Sequence, residues 1–221
     1  MVVGAAAGEA AIIWRMSLSP RTLVLLAGPS GSGKSRLARA VGAELPIASL
    51  GLDDFYRDED YPHLPRTLGI VDWDDPATWD ADAAVDAAER VLTEGHAEVP
   101  VYDLSQSRRV ASREVTVGDA RVVLAEGIFA IEMLALCRRR GMAVTPIWLD
   151  RSRPANFVRR LVRDLAEHRK PPWVLLRRGV ALGRAESALR HRALGAGFRP
   201  ASMKQAHRLI VGCARSATLS S

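Results

Sequence analysis

Short, continuous apolar runs alternate along this chain with segments of helical periodicity. Thr22-Leu23-Val24-Leu25-Leu26-Ala27 is apolar throughout and closes on a glycine, as a strand buried on both faces does. Gly33 to Glu44 follows, with Leu37, Ala40 and Val41 at helical spacing. Ile47–Leu52 predicts a second strand, ending in Asp53-Asp54. Residues 57–80, rich in Asp, Pro and Trp, read as an irregular loop, and Asp80 as the N-cap of a helix running to about Leu92. Val99–Tyr102 and Ser112–Val117 predict two short strands around a loop. Arg121-Val122-Val123-Leu124-Ala125 is another continuous strand, closing on Glu126-Gly127. A helix from about Ile131 to Arg140 leads into a strand at Val144–Leu149, which ends in Asp150, read as a helix cap. Two basic helical stretches, about 154–169 and 173–192, and a last strand at Leu209–Val211 complete the pattern. Repeated βα units imply an α/β fold of three layers around a parallel sheet.

Composition narrows the class. Hydrophobic residues make up 48% of the 221, enough for a substantial core. The two cysteines, Cys137 and Cys213, are far apart and belong to no CxxC or Cys/His cluster, which argues against a disulfide framework or a zinc site. That cysteine usage is compatible with a reducing cytoplasm, the expected location, and no run of about 18 apolar residues occurs, so no membrane span is expected. Residues 1–15, Ala/Gly-rich and without a basic segment ahead of the apolar part, read as a disordered extension rather than a signal peptide. The net charge of +6 is unevenly spread: residues 151–221 hold 16 Lys+Arg against 3 Asp+Glu, and residues 1–150 hold 15 against 22. Such asymmetry fits either a nucleic-acid or membrane surface or an arginine-rich lid over polyphosphate. No recognised nucleic-acid motif accompanies it, so nucleic acid is not the expected partner. A homo-oligomer is compatible with the sequence.

One motif carries chemistry at every fixed position. Gly28-Pro29-Ser30-Gly31-Ser32-Gly33-Lys34-Ser35 fits GxxxxGK[ST] and lies between an apolar strand and a helix. The glycines let main-chain N–H groups wrap closely around phosphates, and the helix beginning near Gly33 adds the positive end of its dipole. Lys34 is expected to reach the β- and γ-phosphates of ATP, and Ser35 to ligate Mg²⁺. The fold expectation is therefore a three-layer P-loop NTPase with a parallel sheet.

Ligands of an open parallel sheet sit beyond the carboxyl ends of its strands. Three further apolar strands end there in acids, Asp53-Asp54, Glu126 and Asp150, the last read as a cap. Phosphoryl transfer to an alcohol needs a carboxylate to take the hydroxyl proton and another to serve the metal. Asp53 or Asp54 is the candidate base, and Glu126 the metal-side acid. Trp73 and Trp79 flank the intervening loop, where stacking on a base and core packing are both open. The five histidines, at 63, 96, 168, 191 and 207, show no metal-ligand spacing and read as surface or structural.

These segments, in this order over most of residues 22–170, resemble the uridine–cytidine kinase family of P-loop kinases, with phosphoribulokinase as a cousin. Leu52-Asp53-Asp54-Phe55-Tyr56-Arg57 resembles the family's DSFYR segment, which assigns the base to Asp53, places Tyr56 on the acceptor side and puts Asp54 where the family has serine. Asp72-Trp73-Asp74-Asp75-Pro76 resembles NFDHP, implying that Asp74 binds the acceptor's ribose. Val101-Tyr102-Asp103-Leu104 resembles PxYDF, so that Tyr102 would line the nucleobase pocket. Val123-Leu124-Ala125-Glu126-Gly127-Ile128 resembles VxxEGI, whose Glu serves magnesium. Arg159-Arg160-Leu161-Val162-Arg163-Asp164 resembles the RRxxRD lid helix, implying that Arg159, Arg160 and Arg163 close over the ATP phosphates.

After the PxYDF segment the family has a THSR-like run, whose histidine and arginine read the pyrimidine and help hold the acceptor. Here it is Ser105-Gln106-Ser107-Arg108-Arg109, with Ser107 at the histidine's place and Arg109 at the arginine's. Residues 16–221 are expected to form a single P-loop kinase domain, in which the resemblance implies an arginine-rich helical lid at about 151–172. Its expected activity is transfer of the γ-phosphoryl of ATP to a hydroxyl of a small nucleoside-like acceptor, with the uridine or cytidine 5′-OH first. Three alternatives stay open: a kinase for another small alcohol (pantothenate-like or a sugar), a non-catalytic nucleotide-binding module, and a nucleic-acid-linked ATPase.

Overall fold

The computed structural model describes residues 21–29, 31–67, 69–150 and 186–219, with side chains as far as residue 215. A five-stranded sheet forms its centre. β1 (Thr22–Ala27), β2 (Ile47–Gly51), β7 (Val122–Glu126), β8 (Val144–Leu149) and β9 (Arg199–Ala201) run in the order β2-β7-β1-β8-β9, each parallel to its neighbours. Leu23 to Ala27 of β1 are fully buried, because both edges of the strand are paired and both faces covered. That double covering is why β1 and β7 read as unbroken apolar runs rather than alternating ones.

The side-chain period of two divides the sheet between two cores. Val24, Leu26, Leu124, Ile147 and Leu149 pack against Leu37, Ala38 and Val41 of α1 (Lys34–Gly42) and against Ala206, Ile210 and Ala214 of α5 (Met203–Leu219). Leu23, Leu25, Ala48, Leu50, Val123 and Ala125 face the other way. They meet α2 (Ala81–Thr93), α3 (Ala130–Arg139) and Ala193 of α4 (186–196). Asp80 caps α2 as expected, its side chain accepting from Ala83 N–H.

After β1 the chain passes over β7 to reach β2; after β7 it crosses to β8 on the far side of β1. The connections thus diverge around the carboxyl end of β1, the place where an open α/β sheet leaves a crevice. A 3₁₀ turn at Leu52–Phe55 prolongs β2 at this edge.

Outside the sheet stands an antiparallel hairpin, β5 (His96–Asp103) and β6 (Arg108–Thr116), with a register shift at Val101/Tyr102. Its strands are longer than the sequence pattern suggests. Most of β6 is solvent-exposed and so lacks the apolar alternation that would mark it. Residues 57–80 are also less irregular than expected. They hold the two-residue ladder β3 (Arg66–Thr67) with β4 (Ile70–Val71), a 3₁₀ turn at Pro76–Thr78 capped by Asp75, and a bridge between Tyr56 and Trp79.

One expected element is overturned. Leu209–Val211 is not a strand but lies within α5, and the last strand is β9. Three consecutive apolar residues mimic a strand locally. The buried set Ala206, Ile210 and Ala214 follows a spacing of four, which only a helix can direct at one face of the sheet. The Ser202 N–H and hydroxyl both bond the Gln205 side chain, and Gln205 N–H bonds back to Ser202 Oγ, a reciprocal cap that starts α5. Of the two basic helical stretches, 154–169 lies outside the described residues, as does 173–185; residues 186–196 are helical. Among the described residues no helix is long and apolar enough to cross a membrane.

Candidate active site

The loop from β1 to α1 opens at the crevice. Gly31 and Gly33 hold φ of 79° and 97°, the left-handed region that only glycine enters without strain, and Gly33 forms the N-cap of α1. A Cβ on Gly28 would lie 2.9 Å from Ser32 Oγ, so the tight turn leaves no room for a side chain there. Lys34 Nζ folds back to donate to the carbonyls of Gly28 (2.9 Å) and Pro29 (3.5 Å), which poises its charge over the loop. Ser32 is fully buried, and among the described residues its hydroxyl has no partner. Main-chain amides, an ammonium and an unpaired buried hydroxyl together suit a polyphosphate. Ser30 lies outside the described residues.

Ser35 Oγ donates to Glu126 Oε1 at 2.7 Å, joining the first turn of α1 to the end of β7. Two hard oxygen donors at the mouth of a phosphate cradle fit Mg²⁺, which takes few protein ligands and completes its shell with phosphate and water. Among the described residues no group of three or more His, Cys, Asp or Glu is arranged to hold a metal.

Asp53 reaches the same place from β2. Gly51 is in register with Glu126, and the 3₁₀ turn carries the exposed Asp53 carboxylate beside Gly127, where a Cβ would meet its Oδ1 at 3.2 Å. Leu52 and Phe55 anchor the turn in the core, and Trp79 Nε1 donates to the Leu52 carbonyl at 3.0 Å. Trp79, buried and stacked on Phe129, is therefore a core residue and not a stacking platform. Asp54 faces away from Gly127: its Oδ2 accepts from Arg113 on β6 at 3.3 Å.

Tyr56, Trp73 and Tyr102 form an aromatic cluster beside the turn, with centroid separations of 5.4, 5.6 and 6.3 Å. The Tyr56 hydroxyl donates to the Trp73 carbonyl and that of Tyr102 to the Arg57 carbonyl. Burial raises the Tyr56 pKa well above the usual phenol range, and the nearby Asp53 and Asp74 carboxylates push it further. Asp53, Asp74 and Tyr56 therefore share one neighbourhood. Tyr102 is pushed up to about 12 by burial, with Asp58 and Glu59 adding and Arg109 opposing.

Arg109 is committed to the protein. Its Nε donates to the Tyr56 carbonyl (3.2 Å), Nη2 to Asp80 Oδ2 (3.1 Å) and main-chain N–H to Asp58 Oδ1 (2.8 Å). In the hairpin turn, Asp103 accepts from the Ser105 hydroxyl and N–H and from the Gln106 amide. These bonds, the Ser105 hydroxyl first, hold its carboxyl down at about 2. Ser107 adopts a left-handed φ of 51°, and its carbonyl accepts from Glu59 N–H. Asp150 is gripped by Arg190 Nη2 and Nε at 2.8 and 3.3 Å; the helix it was expected to cap lies outside the described residues. So do Arg159, Arg160, Arg163 and Trp173. Arg57, the last residue of the DSFYR-like segment, lies with its guanidinium 4.4 Å over the Tyr61 ring, and sequence reasoning missed Arg113, whose contact belongs to no motif.

The model of the phosphoribulokinase / uridine kinase family matches residues 23–170. The uridine kinase of Deinococcus deserti is 32% identical over 151 residues, covering 66% of this chain and 70% of that one. The uridine kinase of Streptococcus mutans is 24% identical over 148 residues, covering 66% and 68%. Among solved structures, a Silicibacter sp. TM1040 protein provisionally described as a fructose transport system kinase superposes with a TM-score of 0.59 at 22% identity, over 85% of this chain and 95% of that one. That likeness speaks to the fold, a parallel sheet with helices on both faces.

Proposed function

The chain belongs to the phosphoribulokinase / uridine kinase family, and from that premise we propose that it moves the γ-phosphoryl of ATP onto a hydroxyl of a small, nucleoside-like acceptor, the uridine or cytidine 5′-OH being the first to test. The observation that carries the reading is the meeting of three groups at one sheet edge. They are the glycine loop after β1, the Ser35–Glu126 pair, and Asp53 beside Gly127.

Each group has a task. Loop amides and Lys34 bind the β- and γ-phosphates and hold the terminal phosphorus still. Ser35 and Glu126 would hold Mg²⁺, which when bound neutralises charge on the phosphate oxygens. The acceptor hydroxyl gives its proton to Asp53 as its oxygen bonds to the γ-phosphorus. The bond from that phosphorus to the β–γ bridging oxygen breaks, and ADP leaves with the electron pair. Tyr56, Trp73 and Tyr102 offer ring surface, and Asp74 a hydrogen-bond acceptor, for the body of the alcohol.

A second reading, another small alcohol in place of a pyrimidine nucleoside, is favoured by two observations. Ser107 stands at the place of the base-reading histidine, and Arg109 is tied to Asp80 and the Tyr56 carbonyl. A screen of nucleosides, sugars and pantothenate with Mg-ATP, following ADP, separates the two. Asp53→Asn is expected to lower acceptor-dependent ADP formation by at least about 100-fold with ATP affinity kept. ADP release that ignores the acceptor, or that rises with DNA or RNA, would overturn the kinase reading.

A further inference from the structure

Two adjacent carboxylates share the turn after β2, and the turn sends them to different partners. Successive residues of a 3₁₀ turn point about 120° apart. With Leu52 and Phe55 buried, Asp53 emerges toward Gly127, and Asp54 toward the hairpin. Asp54 Oδ2 nestles against Gly51, 3.2 Å from where a Cβ would stand, and takes Arg113 Nη2 at 3.3 Å.

This ion pair is the first of a row of contacts. Going down the hairpin from Arg113, Arg109 bonds the Tyr56 carbonyl and Asp58, Tyr102 bonds the Arg57 carbonyl, and the Ser107 carbonyl bonds Glu59 N–H. Residues 54–59 are thus stitched to β5 and β6 along their length. Arg113–Asp54 is the stitch next to Asp53. The serine that the resemblance puts at position 54 would offer Arg113 no charge.

We propose that Arg113 is a positioning residue. Through Asp54 it locks the β5–β6 hairpin to the turn that presents Asp53, so that the wall meeting the acceptor and the carboxylate taking its proton move as one body. This rests on the reading of Asp53 as the base. The pair is half-exposed, with side-chain exposures of 44% and 27%, so its effect is modest.

The test is a double-mutant cycle on the full chain with Mg-ATP and the best acceptor from the screen: Arg113→Gln, Asp54→Asn and both together, with Arg113→Lys as the conservative variant and Asp53→Asn alongside. Each single neutral variant is expected to lower kcat/KM for the acceptor by about two- to fivefold, with KM for ATP unchanged. The double variant is expected to be no worse than the poorer single, and Arg113→Lys to recover part of the loss. Additive losses, no loss, or an equal change in KM for ATP overturn the proposal. If Asp53→Asn turns over like the parent, the base reading fails and this inference with it. If Asp53→Asn is inactive and the cycle is additive, only the role of Arg113 fails.

Discussion

At the scale of single residues, the site depends as much on side chains that are missing as on those present. Gly127 follows Glu126, the proposed metal-side acid, and a Cβ there would come within 2.8 Å of Leu52 Cβ and 3.2 Å of Asp53 Oδ1. The first distance is shorter than any tolerated contact, and Leu52 Cβ cannot swing aside, being fixed to the backbone of a turn anchored in the core. Gly127→Ala is therefore expected to shift the turn and move Asp53 off the line of attack. Misplacement of a reacting group by an ångström costs up to about 100-fold, so a fall in kcat of ten- to a hundredfold is expected, with nucleotide affinity retained. Coupled ADP detection and nucleotide titration check the two halves of that statement.

Elements differ in how plainly the sequence announces them. β1, β7 and β8 were legible because burial on both faces demands unbroken apolar runs, and α2 because Asp80 caps it where the pattern changes period. β9 was not: Arg199-Pro200-Ala201 is three residues long, exposed at two of them, and carries a proline that an edge strand tolerates. α5 was mistaken at Leu209–Val211 because neighbours in sequence outweighed neighbours four apart. The helix makes a testable distinction. In a strand, Arg208 and Ile210 would share a face; in α5 Ile210 is fully buried and Arg208 exposed. Ile210→Ala should cost about 2–5 kcal/mol and Arg208→Ala less than about 0.5 kcal/mol, read by denaturant unfolding. In the candidate site, the glycine loop is visible through its fixed spacing, and Asp53 and Glu126 because each follows an apolar strand at the sheet's carboxyl end. Arg113 was not, since its partner is 59 positions away and β6 has no pattern of its own.

For the whole molecule, charge is sorted rather than merely unequal. Asp53 and Glu126 stand beyond the carboxyl ends of β2 and β7, where the proposed reaction needs acids for a phosphate-bound metal and an incoming alcohol. Of the basic C-terminal third, Arg190, Arg192 and Arg215 are tied to Asp150, Glu132 and Glu44 of the body. Part of that charge thus fastens α4 and α5 in place instead of facing a polyanion. The strand order has a last consequence. Because β1 is paired along both edges, its amides open only when the sheet itself comes apart, whereas β6, among the described residues, has β5 as its one ladder partner and leaves most of its side chains exposed. Deuterium should enter β6 within the early time points and β1 last, at the rate of global unfolding. On the proposed reading, this build lets an outlying hairpin change the side chains it shows to the alcohol while the strand leading into the phosphate loop stays fixed at the centre of the sheet.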